Sequence, residues 1–136
     1  MHEYKIRVRL SETDCLGIVY YANYFVYFDM ARIELLRSIG ITNKEMEKRG
    51  LTFVCAEASC KYLSSLEFDE LITVITWIEK LGNSSIIYRH SILKENGKEA
   101  AQGYVRDVLV DKTGKPVIIP EDWRISLGKY VSSTNN

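Results

Sequence analysis

Between Asp14 and Gly40 the chain carries a lone acid on a loop, then a glycine, then an aromatic-rich run that enters a long apolar helix. That order suits chemistry on an acyl group. The first N–H groups of a helix lack intrahelical partners and sit at its positive end. They can hold a carbonyl oxygen and stabilise the negative charge it gains under attack. Asp14 precedes Tyr21 by seven residues, and Gly17 between them allows a tight reversal. A loop folded in this way sets the carboxylate beside the held carbonyl, to attack it directly or to take a proton from water. The expected oxyanion donor is the backbone N–H of Tyr21, whose ring only lines the pocket. Gly17, Ile18, Val19 and Tyr20 are expected to shape that pocket, with Ala22, Asn23 and Tyr24 continuing it. The ordinary alternative for an Asp in a Gly-containing loop is a local turn hydrogen bond. Residue types alone leave both readings open.

Other chemistries lack their residues. The histidines are His2 and His90, with no H-x-x-x-H and no Cys/His cluster, so no metal is expected. There is no G-x-S-x-G elbow, phosphate loop or dinucleotide fingerprint. Cys15 adjoins Asp14 but has no histidine near it in sequence to activate it. The three cysteines (Cys15, Cys55 and Cys60) read as free thiols. Basic and acidic residues balance at 18 each, which points to neither a nucleic acid nor a membrane surface. No apolar run is long enough to span a bilayer, and Met1–Leu10 is charged rather than signal-like. A cytoplasmic location is expected.

The elements that must position the acid follow from periodicity. Tyr4, Ile6, Val8 and Leu10 alternate with charged residues as a half-buried strand. From Asn23, Tyr24, Phe28, Ala31, Leu35 and Ile39 form one helical face. Phe25, Met30, Ile33 and Leu36 widen it, so this helix must be covered on most sides. Asn23 fits as its cap and Gly40 as its stop. Thr42 with Glu45 opens a short surface helix whose Lys44–Arg49 face is solvated. Strands are expected over 51–63, 71–81, 85–94 and 99–110, with turns at Gly82-Asn83, at Asn96-Gly97 and over 112–116. Pro120–Tyr130 reads as a terminal helix and residues 131–136 as a frayed tail. The sum is an α+β fold: one domain over 1–130, with a five-stranded antiparallel sheet around one long central helix.

The run E-T-D-C-L-G-I-V-Y-Y-A-N-Y-F-V-Y-F-D-M-A-R resembles the signature of the 4-hydroxybenzoyl-CoA thioesterase family of the hot-dog fold. K-Y-L-S-S-L-E-F-D-E-L and Y-R-H-S continue the likeness more weakly along the chain. The resemblance implies hydrolysis of an acyl-CoA thioester to acid and free CoA, without metal or redox cofactor. It implies a homodimer or a tetramer of dimers with acyl-CoA sites at the dimer interface. The family's catalytic acid matches Asp14 as nucleophile or general base, and its helix-start amide matches the backbone of Tyr21. Relatives active on short acyl chains carry His where this chain has Tyr21, whereas the 4-hydroxybenzoyl-CoA enzyme has Tyr. Aromatic and short aliphatic acyl groups both stay open. The CoA-gripping basic turn of that enzyme is here Gly82-Asn83-Ser84. Phosphate contacts are therefore expected from Arg89 and His90, or from Arg106 or Lys112.

Two rival readings remain. A hot-dog hydratase or dehydratase needs a histidine paired with an acid, and His90 is the candidate. A non-catalytic acyl-CoA-binding protein would keep the pocket without turnover. Arg89 and His90 adjoin on a strand and so face opposite sides.

Overall fold

A computed structural model describes residues 1–132. The chain runs β1 (His2–Arg7), α1 (Asn23–Ser38), α2 (Asn43–Arg49), β2 (Thr52–Tyr62), β3 (Leu71–Leu81), β4 (Ser85–Leu93), β5 (Glu99–Val110) and α3 (Glu121–Leu127). The strands form one antiparallel sheet in the order β1-β3-β4-β5-β2. One face of it packs on α1. This is the hot-dog arrangement.

Alternation explains the packing. Ile72, Val74, Thr76 and Ile78 of β3 and Ile86, Tyr88, His90 and Ile92 of β4 are buried, and their neighbours in sequence are not. They meet Tyr24, Tyr27, Phe28, Ala31, Leu35 and Leu36 of α1. Register shifts at Cys55/Glu57, Ile78/Lys80 and Ile92/Leu93 mark bulges, which bend strands. α3 closes one end with Trp123 and Leu127.

Turn chemistry works where the residue types demand it. At the end of α1 Gly40 takes φ +81°, and Ile41 N–H donates back to Leu36 O. Thr42 Oγ1 caps α2 by accepting from Glu45 N–H.

Four expectations are corrected. The first strand stops at Arg7, because Glu12 Oε1 accepts from Arg9 N–H at 2.8 Å and coils residues 10–12 into a single 3-10 turn. Leu10 consequently lies exposed. Asn23 is not the α1 cap: Ala22 holds that position without a side-chain bond, while Asn23 Nδ2 donates to Glu12 O at 2.9 Å. The terminal α-helix ends at Leu127 and continues as a 3-10 turn, Gly128–Tyr130. The tail begins attached rather than frayed, since Val131 bridges Ile78 and Ser132 N–H donates to Ile78 O. Its remainder, 133–136, lies outside the described residues.

Candidate active site

The segment before α1 is a small hairpin. Thr13 bridges Val19, Asp14 N–H donates to Ile18 O at 2.9 Å, and Gly17 N–H donates to Asp14 O at 3.0 Å. Gly17 sits at φ +82°, where a side chain would be strained, so the reversal depends on its being glycine. Val19 N–H donates to Leu66 O and Ile18 bridges Glu67, which docks the hairpin on the segment before β3.

Asp14 is half-buried at the turn. Its Oδ1 accepts from Leu16 N–H at 2.8 Å, the local bond that an acid in a turn ordinarily makes. Among the described residues no donor reaches Oδ2. The turn bond and a free oxygen therefore coexist: one oxygen fixes the carboxylate and the other stays available.

The chain then crosses to the helix start. Tyr20 N–H donates to Glu12 O at 2.9 Å and Asn23 N–H to Tyr20 O at 2.8 Å. Tyr21 O accepts from the Tyr62 hydroxyl at 2.8 Å. Among the described residues nothing accepts from Tyr21 N–H or Ala22 N–H. These are free donors at the positive end of α1.

Tyrosines surround these donors. The Tyr20 and Tyr21 ring centroids lie 4.7 Å apart, and Tyr62 stands edge-on to Tyr21 and to Tyr24. The Tyr20 hydroxyl is held above its usual range chiefly by its hydrogen bond with Tyr21, and the Asp14 carboxylate adds to that. Burial, and then Cys60 and the neighbouring tyrosines, push the Tyr62 phenol up to about 12, so it stays a donor at neutral pH.

The remaining candidates divide. Gly17 and Ala22 are exposed and Ile18 half-buried around Asp14. Val19 and Tyr24 are buried and belong to the core, and Asn23 is turned to Glu12. Arg89 and His90 are not brought to this loop. His90 is 1% exposed, stacked on Phe28 at 4.7 Å, with Nδ1 on Thr76 Oγ1 at 2.9 Å. Burial first, and then the Arg32 charge, push it down to about 3, so it is a neutral core residue. That corrects its assignment to CoA phosphate and leaves the hydratase reading without a reachable histidine. Arg89 lies on the opposite face of β4, paired with Glu79 at 2.6 Å and 4.8 Å over the Tyr104 ring.

Two residues of this constellation had no site role in the expectations above: Glu12, whose partner Tyr27 is 15 residues away, and Tyr62, which arrives from β2 and by residue type reads as core or interface. A cleft of about 290 Å³ lined by Arg32, Leu36, Ile41, Met46 and Phe53 lies at the other end of α1. Among the described residues no helix is long and apolar enough to cross a membrane, and no three His, Cys, Asp or Glu side chains group as a metal site.

Comparison with known proteins places the fold among thioesterases. Bacillus subtilis YneP, provisionally named an acyl-CoA thioesterase, is 32% identical over 129 residues, covering 92% of this chain and 94% of its own. The acyl-CoA thioesterase YbgC of Haemophilus influenzae is 28% identical over 121 residues, 88% of each chain. The crystal structure of the DHNA-CoA thioesterase of Staphylococcus aureus superposes with a TM-score of 0.89 at 28% identity, covering 94% of this chain and 89% of that one. The family model described as the thioesterase-like superfamily matches residues 8–127, nearly the whole described fold, and the chain belongs to that superfamily.

Proposed function

We propose that this protein is an acyl-CoA thioesterase in which Asp14 acts on a thioester carbonyl held by the free N–H of Tyr21. The observation that carries this reading is the half-bonded Asp14 carboxylate in a hairpin docked beside unpaired helix-start donors. The relatives named for this activity support it. Charge developing on the carbonyl oxygen meets those donors. Asp14 either attacks the carbonyl carbon, expelling CoA thiolate and leaving a mixed anhydride for water to cleave, or removes a proton from an attacking water. In the general-base route the water oxygen goes into the acid product. In the anhydride route water attacking the Asp14 carbonyl leaves its oxygen on Asp14 and an Asp14 oxygen on the product. In both the thiolate is protonated, and neither metal nor redox cofactor is needed. Label from ¹⁸O-water found in the Asp14 carboxylate after single turnover would assign the anhydride route. Tyr21 is the residue that carries the likeness to the 4-hydroxybenzoyl-CoA subfamily. Arg89, on the open face, stays the candidate for CoA phosphate.

The active unit is a homodimer, in the cytoplasm. Among the described residues β2 pairs only with β5, so its other edge is bare along 11 residues, nearly all exposed, Val54 among them. The opposite edge, β1, is short and guarded by Glu3, Lys5 and Arg7. β2 carries two charges in its 11 residues, Glu57 and Lys61, and a long edge so sparsely guarded invites another strand. Beside it α1 exposes Val26 and Ile33. A second copy covers both and walls the open site. A monomer by light scattering at micromolar concentration would sink this part.

The test is thiol release from short aliphatic, long aliphatic and aromatic acyl-CoAs, with Asp14→Asn alongside. Loss of the acid is expected to lower the rate by at least ~10²-fold with folding intact. The panel ranks the acyl group. An Asp14→Asn variant as fast as wild type would remove the acid from the mechanism. Binding without thiol release would make the protein a CoA-ester binder.

A further inference from the structure

We propose that Glu12 is a positioning residue for this reaction, tying the Asp14 hairpin to the start and the second turn of α1. The inference rests on the reading of Asp14 given above. Glu12 is a charged residue only 6% exposed. An ionised carboxylate is expensive to bury unless it is fully hydrogen-bonded, and this one is. Oε1 accepts from Arg9 N–H at 2.8 Å and from the Tyr27 hydroxyl at 2.9 Å, and Oε2 accepts from Arg9 Nε at 3.0 Å. The same residue's backbone oxygen accepts from Tyr20 N–H and Asn23 Nδ2, both at 2.9 Å.

Those five contacts share one geometry. Arg9 lies before the hairpin, Tyr20 closes it, Asn23 begins α1, and Tyr27 is one turn further on, completely buried. Asp14 is two residues from Glu12, and the free N–H of Tyr21 directly follows the pinned N–H of Tyr20. Acid and oxyanion donor are thus both referenced to a single residue. Burial alone would push the Glu12 carboxyl up, but the bonds from Arg9 N–H, the Tyr27 hydroxyl and the Arg9 guanidinium bring it below its ordinary value. The clamp is therefore ionised at neutral pH.

The role can be separated from simple stability. A glutamine keeps one acceptor oxygen for Arg9 N–H and Tyr27, and loses only the bond to the largely exposed Arg9 guanidinium. An alanine loses all three side-chain bonds. Displacing a reacting group by about 1 Å costs on the order of 10²-fold in rate.

The experiment is a double-mutant cycle on kcat and KM with the best acyl-CoA of the panel. Glu12→Ala is expected to lower kcat by at least ~30-fold with KM within about threefold, and Glu12→Gln to recover most of that loss. In the Asp14→Asn background, Glu12→Ala is expected to cost clearly less than the ~30-fold seen with Asp14 present, since only the Tyr21 donor is left to position. Tyr27→Phe, which removes one bond and keeps the ring, is the milder probe where the alanine variant does not fold. It is expected to lower kcat about fivefold and to show the same non-additivity. Equal fractional losses with and without Asp14, or an unchanged kcat in both Glu12→Ala and Tyr27→Phe, would overturn the proposal. A fast Asp14→Asn enzyme would instead defeat the assignment of Asp14, a separate result.

Discussion

The Phe28 ring occupies the place a side chain on Gly103 would need: a Cβ built there falls 2.5 Å from Phe28 Cζ and 2.6 Å from Cε2. α1 can approach β5 this closely only because the strand is bare at that point. On its other side the ring is stacked on His90, with 5° between the planes, so it has no room to swing away. Gly103→Ala is therefore expected to destabilise the fold by about 2 kcal/mol through overpacking. Phe28→Leu in the same chain is expected to recover part of that. Urea denaturation of the single and double variants checks it, and an unchanged midpoint in Gly103→Ala would contradict the contact.

Two buried groups on that face titrate in opposite senses. Burial raises Asp107 to about 6, with the Arg32 guanidinium at 3.4 Å pulling the other way and Asp29 adding to the rise. Its folded form holds a proton that the unfolded chain releases above its ordinary 3.8, so its contribution to stability is present at low pH and is lost as pH rises through about 6. His90 is depressed to about 3 from 6.5, so its contribution is present above 6.5 and is lost as pH falls towards 3. Between pH 6 and 4 the two oppose each other, at up to ~1.4 kcal/mol per pH unit each. Asp107→Asn is expected to become less stable on acidification across this window, and His90→Gln more stable. Denaturation at pH 6 and pH 5 reads both slopes. Parallel slopes in the two variants would rule this pairing out.

Tyr62 holds Tyr21 from β2. Its hydroxyl donates to Tyr21 O at 2.8 Å, and that carbonyl shares a peptide unit with the free N–H of Ala22. Losing one such bond is worth about 1 kcal/mol, so Tyr62→Phe is expected to lower kcat about fivefold with little change in melting temperature. A fall in melting temperature with unchanged kcat would make the bond purely structural.

Arg49 joins α2 to α3. Its guanidinium meets Asp122 at 2.6 Å and 3.1 Å and lies 4.8 Å over the Trp123 ring. Lysine has neither the fork nor the plane for this. Both Arg49→Ala and Arg49→Lys are expected to lower the urea midpoint only slightly, since the pair is solvent-accessible. Full recovery by lysine would show that charge alone suffices.

Local physics made much of this protein legible in its sequence. Three- and four-residue spacing marked α1, the alternation in 71–81 and 85–93 marked β3 and β4, and Asn96-Gly97 marked their hairpin to β5. Gly17 and Gly40 marked reversals that each need a positive φ. Such signals act between neighbours, so a linear reading finds them. Asp14 and Tyr21 could be picked out as candidates, because the loop between them is short and ends at a helix start. What tertiary structure alone decided is where the polar side chains point. Asn23, apparently a cap, turned to Glu12; His90, apparently within reach of CoA, was drawn under Phe28; and Glu12, which had no signal of its own, found Tyr27. The partner of a buried polar group is set by whichever donor or acceptor the folded sheet and helix bring within about 3 Å, and that choice is made across the fold rather than along the chain.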